Sequence, residues 1–144
     1  MAADAAAVAA IHLAARESEL PFINWAHPPD DVRRWVSEHL VAGGGVTLAE
    51  TGGTPLGYLA RHGEWVDHLY VAPAHLRRGI GRRLLDHAKA EHPGGLRLWC
   101  FQRNHRARAF YETQGFAIDH FTDGADNEEK EPDILYVWTG RSGE

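Results

Sequence analysis

The alternation of apolar and polar positions divides the chain into helices at its start and strands through its middle. Residues 3–19 read as a helix, with Val8, Ile11, Leu13 and Ala15 set among helix-favouring alanines. Residues 20–29, rich in aromatics and prolines, read as a loop. A second helix is expected from Asp30, where Asp30 and Asp31 suit the positive helix start. Its stripe is Val32, Trp35, Val36, His39 and Leu40, and Gly43–Gly45 end it. Residues 45–50 and 55–63 form a strand pair around the turn Thr51-Gly52-Gly53. Residues 64–71 read as a third strand, with Trp65, Asp67, Leu69 and Val71 on one face and Val66, His68 and Tyr70 on the other. A helix covers Gly79 to Glu91 and stops at Pro93-Gly94-Gly95. Then come a strand over 96–102, a helix from Asn104 to Gln114 closed by Gly115, and strands over 116–122 and 133–140. A polar, acidic loop, residues 123–132, joins the last two. This order predicts a single α/β domain, residues 1–144, around one sheet.

Composition narrows the function classes. The net charge of -5 removes the electrostatic attraction to nucleic acid that a basic domain has. The apolar runs are too short to cross a bilayer, so no membrane partner is expected. The single cysteine, Cys100, and an alanine-rich start without a basic leader fit a reducing cytoplasm. The 10 histidines show no metal-binding spacing, and no metal is expected.

The chemistry concentrates between Leu69 and Ala88. A strand ends at Val71, Pro73 prevents its continuation, and a helix opens at Gly79-Ile80-Gly81. Glycines at such a corner let backbone approach a bulky anion. The unpaired N–H groups of the first helical turn and the helix dipole favour phosphate there. Arg77, Arg78, Arg82 and Arg83 add four positive charges to this turn of an otherwise acidic chain. A dinucleotide fingerprint would need glycine where Leu84 stands, and a phosphate-binding GK[ST] loop is absent.

The segment LYVAPAHLRRGIGRRLL, from Leu69, resembles the acetyl-CoA-binding motif of the GNAT superfamily, the Gcn5-related N-acetyltransferases. A second family motif is similar to NHRARAFYETQGF, Asn104 to Phe116, and the likeness extends over roughly residues 4–139. The resemblance implies a GNAT fold: a mixed, mostly antiparallel sheet whose central parallel strands, here 64–72 and 96–102, splay apart, flanked by helices. It implies acetyl-CoA as co-substrate, its pantetheine pairing with strand backbone near Leu69, Tyr70 and Val71. The pyrophosphate would be held by the backbone of Arg77, Arg78, Gly79, Ile80, Gly81 and Arg82, with Asn104, Ala107, Phe110 and Tyr111 along the rest of the cofactor. The Leu69 N–H would stabilise the developing oxyanion. Tyr111 would be the general acid for the leaving thiolate, or would only pack with Phe110. Asp67 would be the base for the amine or an anchor for its ammonium, and His68 would point to the other face. Cys100, inside an apolar strand, reads as packing, which favours direct transfer in a ternary complex.

For the acceptor, the family resemblance directs attention to Phe22, Trp25 and His27, to Trp65 and Asp67, to Glu128, Glu129 and Asp133, and to Trp138. Aromatic walls with carboxylates suit a cationic amine, and the acidic loop has a solvated face as its alternative. The expected acceptor is a small-molecule primary amine, with a protein or peptide amine as alternative and a non-catalytic coenzyme A sensor as the competing class. Two departures stand out. Leu76 occupies a position the family fills with Arg or Gln, and the family's first strand is missing, with only Met1–Ala3 ahead of the first helix. An uncovered sheet edge would follow, and with it a homodimer.

Overall fold

The computed structural model describes residues 2–20, 28–36, 38, 45–73, 79–127 and 129–140, without the side chains of residues 2–4 and 19. Phe22, Trp25, His27, His39, Leu40, Leu76, Arg77, Arg78 and Glu128 lie outside the described residues. The elements are α1 (Ala2–Glu19), α2 (Pro29–Trp35), β1 (Val46–Thr51), β2 (Thr54–His62), β3 (Trp65–Val71), α3 (Ile80–Glu91), β4 (Leu96–Phe101), α4 (His105–Thr113), β5 (Ala117–Phe121) and β6 (Asp133–Trp138).

The strands form one sheet in the order β1-β2-β3-β4-β6-β5. Four neighbouring pairs are antiparallel, and β3 and β4 run parallel. That parallel pair keeps a single position in register, Trp65 with Arg97, reinforced by the Arg97 N–H donating to the Glu64 carbonyl at 2.7 Å. Beyond it the two strands carry no ladder, so the sheet parts at its centre as the family resemblance implies.

Two packed layers hold the sheet. On α3 the buried residues Ile80, Leu84, Leu85 and Ala88 recur at helical spacing. They join Leu59, Val66, Leu96, Leu98, Ile134 and Tyr136 in one cluster. On the other face Val8, Ala9 and Ile11 of α1 and Val32 and Val36 pack on Tyr58 and Ala60 of β2. Gly57 sits where backbone crowds it: a Cβ there would lie 2.8 Å from the Tyr70 carbonyl oxygen.

The regular alternation expected of β3 does not hold. Ala60 pairs with His68 but Arg61 pairs with Val66, so Asp67 is an extra residue, a β-bulge. The bulge changes parity. Val66, Leu69 and Val71 all pack on the α3 side, while His68 and Tyr70 meet the rings of the α1 side. Asp67 therefore does not share its setting with Leu69 through strand alternation.

Among the described residues, no helix is long and apolar enough to cross a membrane. Nor does any group of three or more His, Cys, Asp or Glu among them offer a metal site.

Candidate active site

The gap between β3 and β4 opens into a cavity on each side. The cavity facing α3 and α4 has a volume of about 450 Å³. Its lining brings together the expected Asp67, Leu69, Tyr70, Val71, Gly79, Ile80, Gly81, Arg82, Asn104, Ala107, Phe110 and Tyr111. Strand geometry explains part of this. Ala72 N–H donates to the Leu56 carbonyl at 2.8 Å, and the β2–β3 register then continues without a break to His68. Alternation along an antiparallel ladder turns the N–H groups of Leu69 and Val71 away from β2, toward the gap.

The helix corner is built as the glycines predict. Gly79 caps α3 with φ 77°. Among the described residues no side chain caps the first-turn N–H groups, whose residues line the cavity, and the positive end of the helix dipole lies behind them. A Cβ on Gly81 would stand 3.3 Å from the Phe110 ring, so this glycine lets α3 and α4 approach. Asn104 caps α4, its side-chain oxygen accepting from the Ala107 N–H at 3.3 Å, which leaves its amide N–H groups to meet a ligand. Tyr111 is buried in an aromatic group with Phe110, Phe116 and Tyr136.

The cavity on the α1 side is larger, about 720 Å³. Its floor is Asp67, His68, Tyr70, Trp99, Cys100 and Phe101, the same six residues that border the first cavity. The two cavities thus meet through the parted strands. One wall is His12, Arg16, Asp31, Val32 and Trp35, and the other is the loop from Thr122 to Asp133. Asp67 and Glu129 line this cavity as expected. The Nδ1–H of His62 donates to the Asp67 carboxylate at 2.5 Å.

Two expectations for the acceptor side, Trp65 and Trp138, are corrected, and the alternative of a solvated acidic loop is set aside. Trp65 lines neither cavity; it stacks on Trp99 with ring centroids 6.4 Å apart. Trp138 packs on the α3 cluster, beneath the Lys89 ammonium at 5.1 Å, because β6 pairs it with Leu96 at the far end of β4. The acidic loop is not merely solvated. The Arg103 guanidinium forks onto Glu131 with contacts of 2.7 and 2.6 Å, and that charged pairing holds the Glu131 carboxyl below the usual range. The Gln102 amide donates to the Thr122 carbonyl, and the Thr122 hydroxyl donates to buried Asp133, which also accepts from Asn127.

Sequence reasoning missed a buried aromatic and histidine cluster in the α1 wall. His12 Nδ1 is hydrogen-bonded to the Tyr58 hydroxyl at 2.7 Å, and the His12 ring lies 5.3 Å from His68 and 5.0 Å from Tyr70. Burial, then the nearby His68 and Arg16, pushes His12 down to about 3. Burial, against a smaller opposing pull from Asp67, pushes His68 down to about 4. Both rings are neutral at physiological pH. Burial also pushes the Tyr58 hydroxyl up, so it stays protonated. His12 and Tyr58 are 46 residues apart, and a polar residue on an otherwise apolar helix stripe was their one available signal. Cys100 is buried and its thiol faces its neighbour's carbonyl at 3.6 Å, consistent with packing.

A sheet split between two parallel strands, with a glycine-capped helix start on one side and an acidic, aromatic hollow on the other, gives two openings that meet at one floor. The chain belongs to the GNAT acetyltransferase family, whose domain model matches residues 38–118. It is 41% identical over 98 residues to a Mycobacterium tuberculosis protein named Probable N-acetyltransferase Rv2775, covering 59% of this chain and 56% of that protein. The chain thus spans only about half the length of that relative. It is 33% identical over 119 residues to the peptidyl-lysine N-acetyltransferase YiaC of Escherichia coli, covering 72% and 81%. In fold it is similar to apo YjaB of Escherichia coli, with a TM-score of 0.79 at 20% identity over 97% of this chain and 94% of that one. It is also similar to the PaiA N-acetyltransferase of Thermoplasma acidophilum solved with coenzyme A, with a TM-score of 0.69 at 15% identity over 96% and 94%.

Proposed function

We propose that this chain transfers an acetyl group from acetyl-CoA to a primary amine by direct attack in a ternary complex. The observation that carries the reading is the shared floor: six residues border both cavities at the point where β3 and β4 part. Two substrates entering from opposite sides would meet there without a covalent enzyme intermediate.

The residues present fit acetyl-CoA. The uncapped start of α3, from Gly79 to Arg82, suits the pyrophosphate, and the outward N–H groups of Leu69 and Val71 suit pantetheine. Acetyl-CoA supplies the activated thioester. Leu69 N–H donates to the carbonyl oxygen as its negative charge grows, a single aimed donor worth about 3 kcal/mol in comparable sites. Tyr111 donates a proton to the departing sulfur. Asp67, steadied by His62, holds the incoming ammonium at the gap or takes its proton through water. Asp31, Asp123, Asp126 and Glu129 around the larger cavity, with Trp35, Tyr70 and Trp99, favour a cationic alkylamine.

The expected acceptor was a small molecule. The relatives named peptidyl-lysine N-acetyltransferases, YiaC and the YjaB of Salmonella typhimurium, support a lysine side chain as the second reading. Thiol release from acetyl-CoA across a panel of primary amines tests the function. Tyr111→Phe should lower kcat at least tenfold, and Asp67→Asn should raise the amine KM or lower kcat by a similar factor. Thiol release indifferent to both substitutions would refute the assignment. Tight coenzyme A binding without release on any amine would leave a sensor.

A further inference from the structure

A strip of rings leads out of the larger cavity onto a sheet face that the described helices leave open. Trp99 borders both cavities, yet it is 48% exposed. On one side of it Trp65 of β3 stacks nearly parallel, at 6.4 Å and 10°. On the other His120 of β5 meets it edge-on, at 5.8 Å and 82°. Buried Leu135 of β6 pairs with both Trp99 and His120 and so underlies the span between them. Trp65 and His120 line neither cavity, so neither acetyl transfer nor core packing accounts for the row.

We propose that this strip docks the backbone and neighbouring side chains of a positively charged polypeptide whose lysine enters the larger cavity. The inference rests on the transferase reading above and names its acceptor. Three observations select the occupant. The strip is continuous with the cavity through Trp99, so a chain lying on it has its acceptor side chain at the gap. The ring spacings approach the ~7 Å between alternate side chains of an extended chain, which a free amine would not use. The charge is predominantly negative: Asp67, Asp123, Asp126 and Glu129 border the same opening against Arg16 in the opposite wall, Asp119 stands beside His120, and Arg97 on this face is paired with Glu64. That pattern attracts a basic segment, and indole faces add cation–π attraction for its Arg or Lys residues. A second copy of this chain, with net charge -5, would set carboxylates against carboxylates.

The test compares two acceptors at equal concentration: Nα-acetyl-lysine methylamide, and a ten-residue peptide carrying one lysine flanked by arginines. Wild-type kcat/KM should be about tenfold or more higher for the peptide, and 0.5 M salt should shrink that advantage. Trp65→Ala and His120→Ala should each lower the peptide value about fivefold and leave the small acceptor within twofold. A thermal melt checks that Trp65→Ala folds; the exposed His120→Ala carries the test if it does not. Equal wild-type values for the two acceptors, or variants that depress both alike, would overturn the strip while the transferase reading stands. Acetyl-CoA binding with thiol release on neither acceptor would remove both.

Discussion

Replacing Gly79 with alanine separates the cost of its backbone conformation from its role toward a ligand. Gly79 has φ 77°, in the left-handed region, and a Cβ there would meet no atom of the described residues within 4 Å. The substitution therefore adds no clash. Its folding cost is the conformational term alone, about 1–2 kcal/mol. A domain of this size has about 5–15 kcal/mol of stability, so the variant should fold, with a Tm lower by roughly 2–6 °C. Gly79 is one of the residues that line the smaller cavity. If the pyrophosphate sits there, coenzyme A should bind about tenfold more weakly, a further loss of about 1.4 kcal/mol in binding. Gly63→Ala is the matched control. It too has positive φ, 56°, and open space, but it lies in the β2–β3 turn and lines neither cavity. Calorimetric titration with coenzyme A and thermal melts with and without it read both effects. The two variants should lose similar stability without ligand, and only Gly79→Ala should show a smaller ligand-induced rise in Tm. Equal coenzyme A affinity in the two variants would refute the phosphate cradle.

Stability should fall in mild acid because His12 and His68 titrate at about 3 and 4 in the fold, below their ordinary value of 6.5. Between pH 6.5 and 4 the unfolded chain takes up protons that the folded one refuses, at about 1.4 kcal/mol per pH unit for each ring. Urea unfolding at pH 7 and pH 5 checks this; His12→Gln should flatten the dependence, and a flat wild-type profile would contradict it. Arg103→Ala should loosen the loop from Thr122 to Asp133, raising the amine KM several-fold with the acetyl-CoA KM unchanged. Steady-state kinetics varying each substrate would detect the difference, and an equal rise in both constants would count against it.

The residues expected on the cofactor side that the structure describes line one cavity, and their signals in the chain are local. Gly79 and Gly81, the Asn104 cap and the 80/84/85/88 stripe of α3 each depend on residues a few positions apart. The acceptor side depends on distant ones. His12 meets Tyr58 and His68 only after α1 lies on the sheet. The loop from residue 123 to 132 has the composition of a solvated tract, yet Arg103 holds its Glu131, Gln102 holds the flanking Thr122 and Asp133, and Asn127 ties it internally to Glu131. The placement of Trp65 failed for a related reason. An aromatic residue on a catalytic strand gives no sign of whether it faces a cavity or a neighbour across the sheet, and here it faces Trp99.

The unpaired position at Asp67 acts as a phase shift in one strand. Residues before and after it serve the α3 layer in different registers, so removing that one residue would turn Val66 and Trp65 over together. Its side chain, by contrast, belongs to neither packed layer, and its cross-strand partner is the exposed ring of His62. Its identity can therefore drift at little expense to folding, which makes it a point where acceptor preference can diverge while the scaffold stays the same.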